Sequence, residues 1–278
     1  MKELYIRFPQ GKAKALTLSY DDGVEQDIIL LQIMQKYGLK GTFNLNSGLY
    51  AQEGEKFEKG MIHRRLSKSK AIEIFRNSGQ EIAIHGLNHT YYTQIPMDAA
   101  TYEIVKDREN LESQFDSIIR GSAYPFGNTN TLVKEALRKA GIVYSRTVES
   151  THKFDLPEDW LMMPATCHHK DPLLMELGGR FVEWDKNMNA QFFCLWGHSF
   201  EFEADNNWNV IESFAEYIGG RHDIWYATTI EICDYVNAFK NLRFSYDRKI
   251  VENPTSTVIW FYQNESVIKI NPGERLIL

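Results

Sequence analysis

The sequence predicts an α/β protein built on a parallel sheet or barrel. Three observations carry this. Short apolar runs alternate with amphipathic stretches along most of the 278 residues, as repeated βα units require. Glycines at 38, 79 and 141 follow amphipathic stretches, where a helix stops. Polar, glycine-bearing segments recur at the ends of the apolar runs, as at Asp21-Asp22-Gly23 and Gly197-His198. A composition of 43% hydrophobic and 24% charged residues excludes a disordered chain and provides for a large core.

Residues 15–20 form the first expected strand, and 25–37 a helix with its apolar stripe at Ile28, Leu31, Ile33 and Met34. Residues 40–45 are the second strand, and 50–65 a polar loop. Ser67 can cap a helix reaching residue 78. Strand three is 81–85, followed by a helix over 98–115 with Asp98 as its cap. Strand four is 118–124, then a helix over 129–140. Strands five and six are 142–147 and 160–166, with a helix over 172–184. Strands at 191–196 and 224–227 and helices at 209–218 and 229–239 complete the repeat. From residue 242 the pattern becomes short strands at 244–246, 257–262 and 266–270, separated by Asn253-Pro254 and Asn271-Pro272-Gly273 turns. The expected division is therefore 1–241 and a β appendage, 242–278, packed against it.

Lys and Arg total 31 against 37 Asp and Glu, a net charge of −6, which argues against broad nucleic-acid binding. The three cysteines are widely spaced and odd in number, so no disulfide framework is expected. No apolar run suits a signal peptide or a membrane span, and a cytoplasmic location with no membrane partner is expected. The sequence says nothing of oligomeric state.

In a parallel barrel, reactive groups sit at the C-terminal ends of strands. There the chain places Asp21-Asp22-Gly23, His85-Gly-Leu-Asn-His89, Tyr124-Pro-Phe-Gly127 and Gly197-His198. Asp-Gly is also a common turn pair, but the joint placement favours chemistry. Two histidines four apart can reach one metal, and a carboxylate completes a His₂Asp set with positions open for water and substrate. Gly86 follows His85, so this is not H-E-x-x-H and the base must come from elsewhere. Of two adjacent aspartates, one can bind the metal while the other stays free as a general base. Zn²⁺ is the first expectation, and Co²⁺, Ni²⁺, Mn²⁺ or Fe²⁺ are also accepted by such ligands.

Thr17-Leu-Ser-Tyr-Asp21-Asp22-Gly23, His85-Gly-Leu-Asn-His89, Tyr124-Pro-Phe-Gly127 and Leu195-Trp-Gly-His198 together resemble the motifs of the polysaccharide deacetylase family (carbohydrate esterase family 4). The resemblance spans about residues 15–235 and implies a distorted (β/α) barrel of seven or eight strands. It implies metal-dependent removal of acetyl groups, usually N-acetyl groups of amino sugars, from an acetylated carbohydrate. Carried over, Asp21 is the base. Asp22, His85 and His89 bind metal, His198 is the acid, and the Phe126 backbone N–H supports the oxyanion.

Two departures follow. The family's third motif commonly carries Arg where this chain has Ala123; Arg146, ending strand five, is the expected substitute, with Arg120 less well placed. The Asp-rich fourth motif survives only as Asp159-Trp160. Tyr124, Trp160 and Trp196 are the candidate substrate contacts, with core packing as the alternative for the two tryptophans. His152, His168 and His169 are expected to be surface or structural, and Glu201 and Glu203 either orient His198 or are solvated. Two other functions stay open: a C–N hydrolase of cyclic amides or ureides, and an inactive carbohydrate-binding relative.

Overall fold

A computed structural model describes residues 4–184 and 189–278. After β1 (Leu4–Arg7), the apolar run that follows Lys12 becomes β2 (Lys14–Asp21), buried along its whole length. Burial on both faces is why it reads as a continuous hydrophobic run instead of an alternation. Then come α1 (Asp27–Tyr37), β3 (Gly41–Leu45), α2 (Lys68–Phe75), β4 (Glu81–Ile84), α3 (Met97–Phe115), β5 (Gly121–Ala123), α4 (Thr131–Lys139) and β6 (Tyr144–Ser150). The second half contains β7 (Met163–Ala165), β8 (Cys167–His168), α5 (Leu174–Val182), β9 (Gln191–Gly197), α6 (Phe200–Ala204), α7 (Trp208–Ile218), β10 (Ile224–Tyr226) and α8 (Thr229–Lys240).

The helix ends obey local chemistry. Gly38 takes the left-handed conformation (φ 67°) that ends α1. Ser67 Oγ accepts from the Lys70 N–H at the start of α2. Asn130 caps α4 through Val133, and Thr228 and Glu231 form a reciprocal capping box on α8. Asp98 is not a cap: α3 begins at Met97 after Pro96, and Asp98 lies in its first turn.

The strands from β2 to β10 are all parallel, in the order β7-β6-β5-β4-β3-β2-β9-β8. β9 runs along one edge of β2; the other edge pairs first with β10, at Lys14–Leu16, and then with β3, at Leu18–Asp21. The 163–168 segment almost closes the sheet. It pairs with β6 through β7 and with β9 through β8, and Thr166 N–H bonds Cys194 O (2.9 Å). The expected distorted barrel is the observed one.

Alternation sorts its side chains. Leu16, Leu18, Tyr20, Phe43, Leu45, Ile82, Ile84, Phe193 and Leu195 face outward under the helices as the main apolar core. Each full burial of such a side chain contributes about 1.5–3 kcal/mol. Inside the barrel a second apolar cluster, including Ala15, Met163, Phe192, Cys194 and Trp196, packs beside a ladder of polar groups. On the barrel floor, Glu81 accepts from Thr42 Oγ1 (2.7 Å), Tyr144 Oη (2.8 Å) and the Ile230 N–H of α8 (2.9 Å). Above the floor, Asn44 and Arg146 both bond Ser19 Oγ (2.9 and 3.0 Å). This ladder leads up to Asp21.

Beyond α8, β11 (Arg243–Phe244), β12 (Ile250–Glu252), β13 (Ile259–Gln263), β14 (Ser266–Ile270) and β15 (Arg275–Ile277) form two antiparallel three-stranded sheets. One takes its third strand from the other end of the chain, since β1 pairs Leu4–Arg7 with Gln263–Trp260. β1, β12 and β15 were not expected from sequence. The expected strand over 118–124 shrinks to three residues, and Trp160–Met162 is a 3₁₀ turn preceding β7.

Candidate metal centre and active site

Asp21 and Asp22 stand where β2 leaves the barrel. Asp21 continues the inward-facing alternation and is almost wholly buried. The Arg146 guanidinium holds it through Nη2, 2.6 Å from Oδ1 and also bonded to Oδ2, and Asn44 Nδ2 donates to Oδ1 (2.8 Å). Burial pushes the Asp21 carboxyl up, but Arg146, His85 and His198 outweigh it and hold the group below the usual range. Arg146 is itself fixed by Ser19 Oγ and Thr147 O (both 3.0 Å), and its guanidinium lies 4.4 Å from the Trp196 ring centre.

Asp22 adopts φ 87°, which turns its side chain out of the β2 alternation and away from Asp21. His63 Nε2 lies 3.0 Å from its Oδ2, and Arg65 Nη2 donates to Oδ1 (3.1 Å). Burial opposes ionisation, but the His63 hydrogen bond and the Arg65 charge keep the carboxyl well below the ordinary range.

His85 follows β4 and His89 lies four residues on, at φ 52°. Their Nε2 atoms are 3.1 Å apart, and His89 Nε2 is 3.9 Å from Asp22 Oδ1. Asp22, His85 and His89 thus offer three ligand atoms within 4.8 Å of one another. The donor set fits a divalent metal. His85 Nδ1 bonds the Ala123 carbonyl (2.9 Å), which must accept; the Nδ1 proton is therefore fixed and the lone pair is left on Nε2. Burial lowers His85, and burial followed by the His85 charge takes His89 to about 4. Both rings are neutral near pH 7, as ligands must be.

His198, after β9, completes the arrangement. Its Nε2 is 3.9 Å from Asp21 Oδ2 and its Nδ1 is 3.3 Å from Glu201 Oε2. Burial lowers it, but the Glu201 hydrogen bond and the Asp21 and Asp22 charges raise it above the usual histidine value. An ionised carboxylate and a readily protonated imidazole therefore face each other beside a ligand cluster. That combination can take a proton from water and return one to a leaving group.

Structure and sequence differ at the rim. Phe126 is half-exposed at φ 57°; its ring stacks on Tyr91 (3.8 Å, 2°) and meets His89 edge-on at 4.4 Å. Tyr124 is buried and its hydroxyl donates to Leu161 O (2.7 Å), so it lines no open cleft. Trp160 packs in the core against Phe192, and Trp196 backs Arg146; neither is an open pocket wall. Arg120 pairs with Asp234 (2.8 Å), away from Asp21. His168 and His169 are not surface groups: both approach Glu201 Oε2, at 3.2 and 3.3 Å. Glu201 is the residue beside His198, whereas Glu203 pairs with Arg64. His63 and Arg65 were missed, because residues 50–65 show no periodicity to mark them.

The sequence model of the polysaccharide deacetylase family matches residues 9–145. The match covers just under half of the chain. No curated protein sequence matches the chain. Among solved structures, a candidate polysaccharide deacetylase from Mycobacterium smegmatis is similar at 16% identity and a TM-score of 0.60, over 86% of this chain and 96% of that one. A family 4 carbohydrate esterase from Streptomyces lividans, in complex with acetate, matches at 16% identity and 0.52, over 77% and 92%. A family 4 pseudoenzyme from Bacillus anthracis matches at 16% and 0.50, over 83% and 68%. Of a Streptococcus pyogenes deacetylase in complex with acetate, the chain spans 55%, with 48% of its own length, at 22% identity and 0.42. The first three likenesses show the fold.

Proposed function

We propose that the protein is a metal-dependent deacetylase acting on N-acetyl groups of amino sugars in a glycan or oligosaccharide. One observation carries the reading: the Asp21 carboxylate, gripped by Arg146, lies within 3.9 Å of both His85 and His198, beside the Asp22-His85-His89 ligand set.

Asp22, His85 and His89 would hold the ion, with Zn²⁺ first among the metals such ligands take. When bound, it supplies Lewis-acid polarisation and acidifies water. Asp21 takes the proton of the attacking water, because Arg146 and Asn44 hold it ionised and directed. The Phe126 N–H supports the oxyanion that develops on the acetyl carbonyl. His198 donates its Nε2 proton to the departing nitrogen, with Nδ1 retained by Glu201. Arg146 takes the place of the missing third-motif arginine, reaching the same carboxylate from the neighbouring part of the barrel.

The test is acetate release from acetylated chitooligosaccharides by zinc-loaded protein. Asp21→Asn should keep its metal and lose turnover by about a hundredfold or more. Full activity in Asp21→Asn rejects the base. Turnover of a cyclic ureide with no acetate release would move the reading to the other C–N hydrolases.

A further inference from the structure

The described residues contain a second cluster with metal-like spacing, His168, His198 and Glu201. Its hydrogen bonds give it a different chemistry. At His85, Nδ1 faces a carbonyl oxygen, so Nδ1 carries the proton and Nε2 the lone pair. At His168 the arrangement is reversed. The Lys170 backbone N–H points at His168 Nδ1 (3.1 Å). An amide N–H only donates, so Nδ1 must accept and the ring proton lies on Nε2. That Nε2 is 3.2 Å from Glu201 Oε2. The His168 ring therefore offers Glu201 a proton and offers a metal no lone pair on that side.

Glu201 is where this matters. Its Oε2 is reached by His168 Nε2, by His198 Nδ1 (3.3 Å) and by the His198 backbone N–H (3.2 Å). Its Oε1 is 3.2 Å from Lys170 Nζ, which Asp205 also binds (2.8 Å). His169 Nε2 is 3.3 Å from Oε2, within a ring stacked on Phe202 at 4.0 Å. The Glu201 carboxylate, carried on α6, is thus tied from β8 and from the residues just after β8 and β9.

We propose that His168 is a positioning residue and an obligate N–H donor. It fixes the Glu201 carboxylate, and Glu201 in turn fixes the His198 ring with Nε2 toward Asp21. The triad is a hydrogen-bonded brace and takes no metal ion. The part concerning catalysis rests on His198 being the acid.

Nitrogen-15 NMR of the histidine rings in the full-length, zinc-loaded protein tests the tautomer without any activity. His168 should show a protonated Nε2 and a bare Nδ1, and metal content should be one ion per chain. A protonated Nδ1 on His168, or a second ion lost on His168→Gln, overturns the proposal. Gln Nε2 falls near the position of His Nε2 and keeps the donor, whereas Leu removes it. A slowly exchanging His198 Nδ1 proton should survive in His168→Gln and be lost in His168→Leu. If it persists in His168→Leu, the brace is not what holds His198. On an acetylated oligosaccharide, kcat should fall roughly tenfold in His168→Leu, with KM unchanged and recovery in His168→Gln. Wild-type protein with the expected NMR but no acetate release would reject the deacetylase reading alone.

Discussion

Arg146 and Asp21 form a buried ion pair in which each partner depends on the other. Removing one charge leaves the second desolvated and unpaired, which costs about 3–5 kcal/mol. Arg146→Ala should therefore lower the denaturation midpoint more than Arg146→Ala combined with Asp21→Asn. A double mutant less stable than the single would show that the pair is not the main constraint on the site. Gly197 makes a different demand. A β-carbon there would meet the His169 ring, at Nδ1. Gly197→Ala should cost about 1–3 kcal/mol of stability through overpacking, read by urea denaturation. Much of the site was legible residue by residue. Asp21, Asp22, His85 and His198 stand at strand ends, where position in a βα repeat is informative, with His89 four residues beyond His85 and Arg146 inside β6. For Trp160 and Trp196 the structure favours the core alternative: Trp196 lies on β9, a strand buried along its whole length whose sequence shows no alternation to sort its aromatics, and Trp160 and Tyr124 lie outside the strands, where periodicity says nothing. His63 and Arg65 come from an irregular loop, and only the fold brings them to Asp22.

Among the elements, α8 and β4 meet on the barrel floor. The helix N-terminus presents the Ile230 N–H to Glu81, and Thr229 Oγ1 lies 2.9 Å from Thr42 Oγ1. Burial pushes the Glu81 carboxyl up to about 7 from its ordinary 4.5. The sign follows from linkage. Between those values the folded protein holds a proton that the unfolded chain releases, so stability falls as pH rises from about 4.5 to 7. The contribution is on the order of 3 kcal/mol. Glu81→Gln should flatten that part of the stability curve, measured by urea denaturation at pH 5 and 7.5; an unchanged slope would show that Glu81 titrates normally. The repeat of elements was readable from β2 to α8 because each helix carries its own stop and each strand its own apolar run. The strands β5 and β7 were overextended, since apolar residues continue past the paired ones: Ile118 and Ile119 before β5, and Trp160, Leu161 and Met162 before β7.

Across the whole molecule, the sheet separates the main apolar core under the helices from an enclosed face where polar and apolar groups are mixed. The helices cover an apolar outer face, while the enclosed face carries the hydrogen-bonded ladder from Glu81 to Asp21. Metal binding at the top of that ladder should therefore stabilise the entire fold. Removal of the ion by a chelator is expected to lower the melting temperature of the wild type and leave His85→Ala, already without metal, unaffected. Equal melting temperatures before and after chelation of wild-type protein would count against a resident ion. No helix among the described residues is long and apolar enough to cross a membrane. The tail was the least legible region at this scale, because its strands are short and one of their partners lies more than 250 residues away in sequence.

That distant pairing also sets an order of events during synthesis. β1 leaves the ribosome before the barrel strands, yet its hydrogen-bonding partner, β13, follows them all. Until Ile259–Gln263 emerge, Leu4–Arg7 lack their pairing strand, although the aromatic Phe8 behind them gains its cover earlier, from Trp225 and Tyr235. The barrel strands can associate before β13 is made, but this sheet cannot. Newborn chains therefore carry β1 without its partner while the whole barrel is synthesised, and a chaperone that masks short apolar segments would suit them.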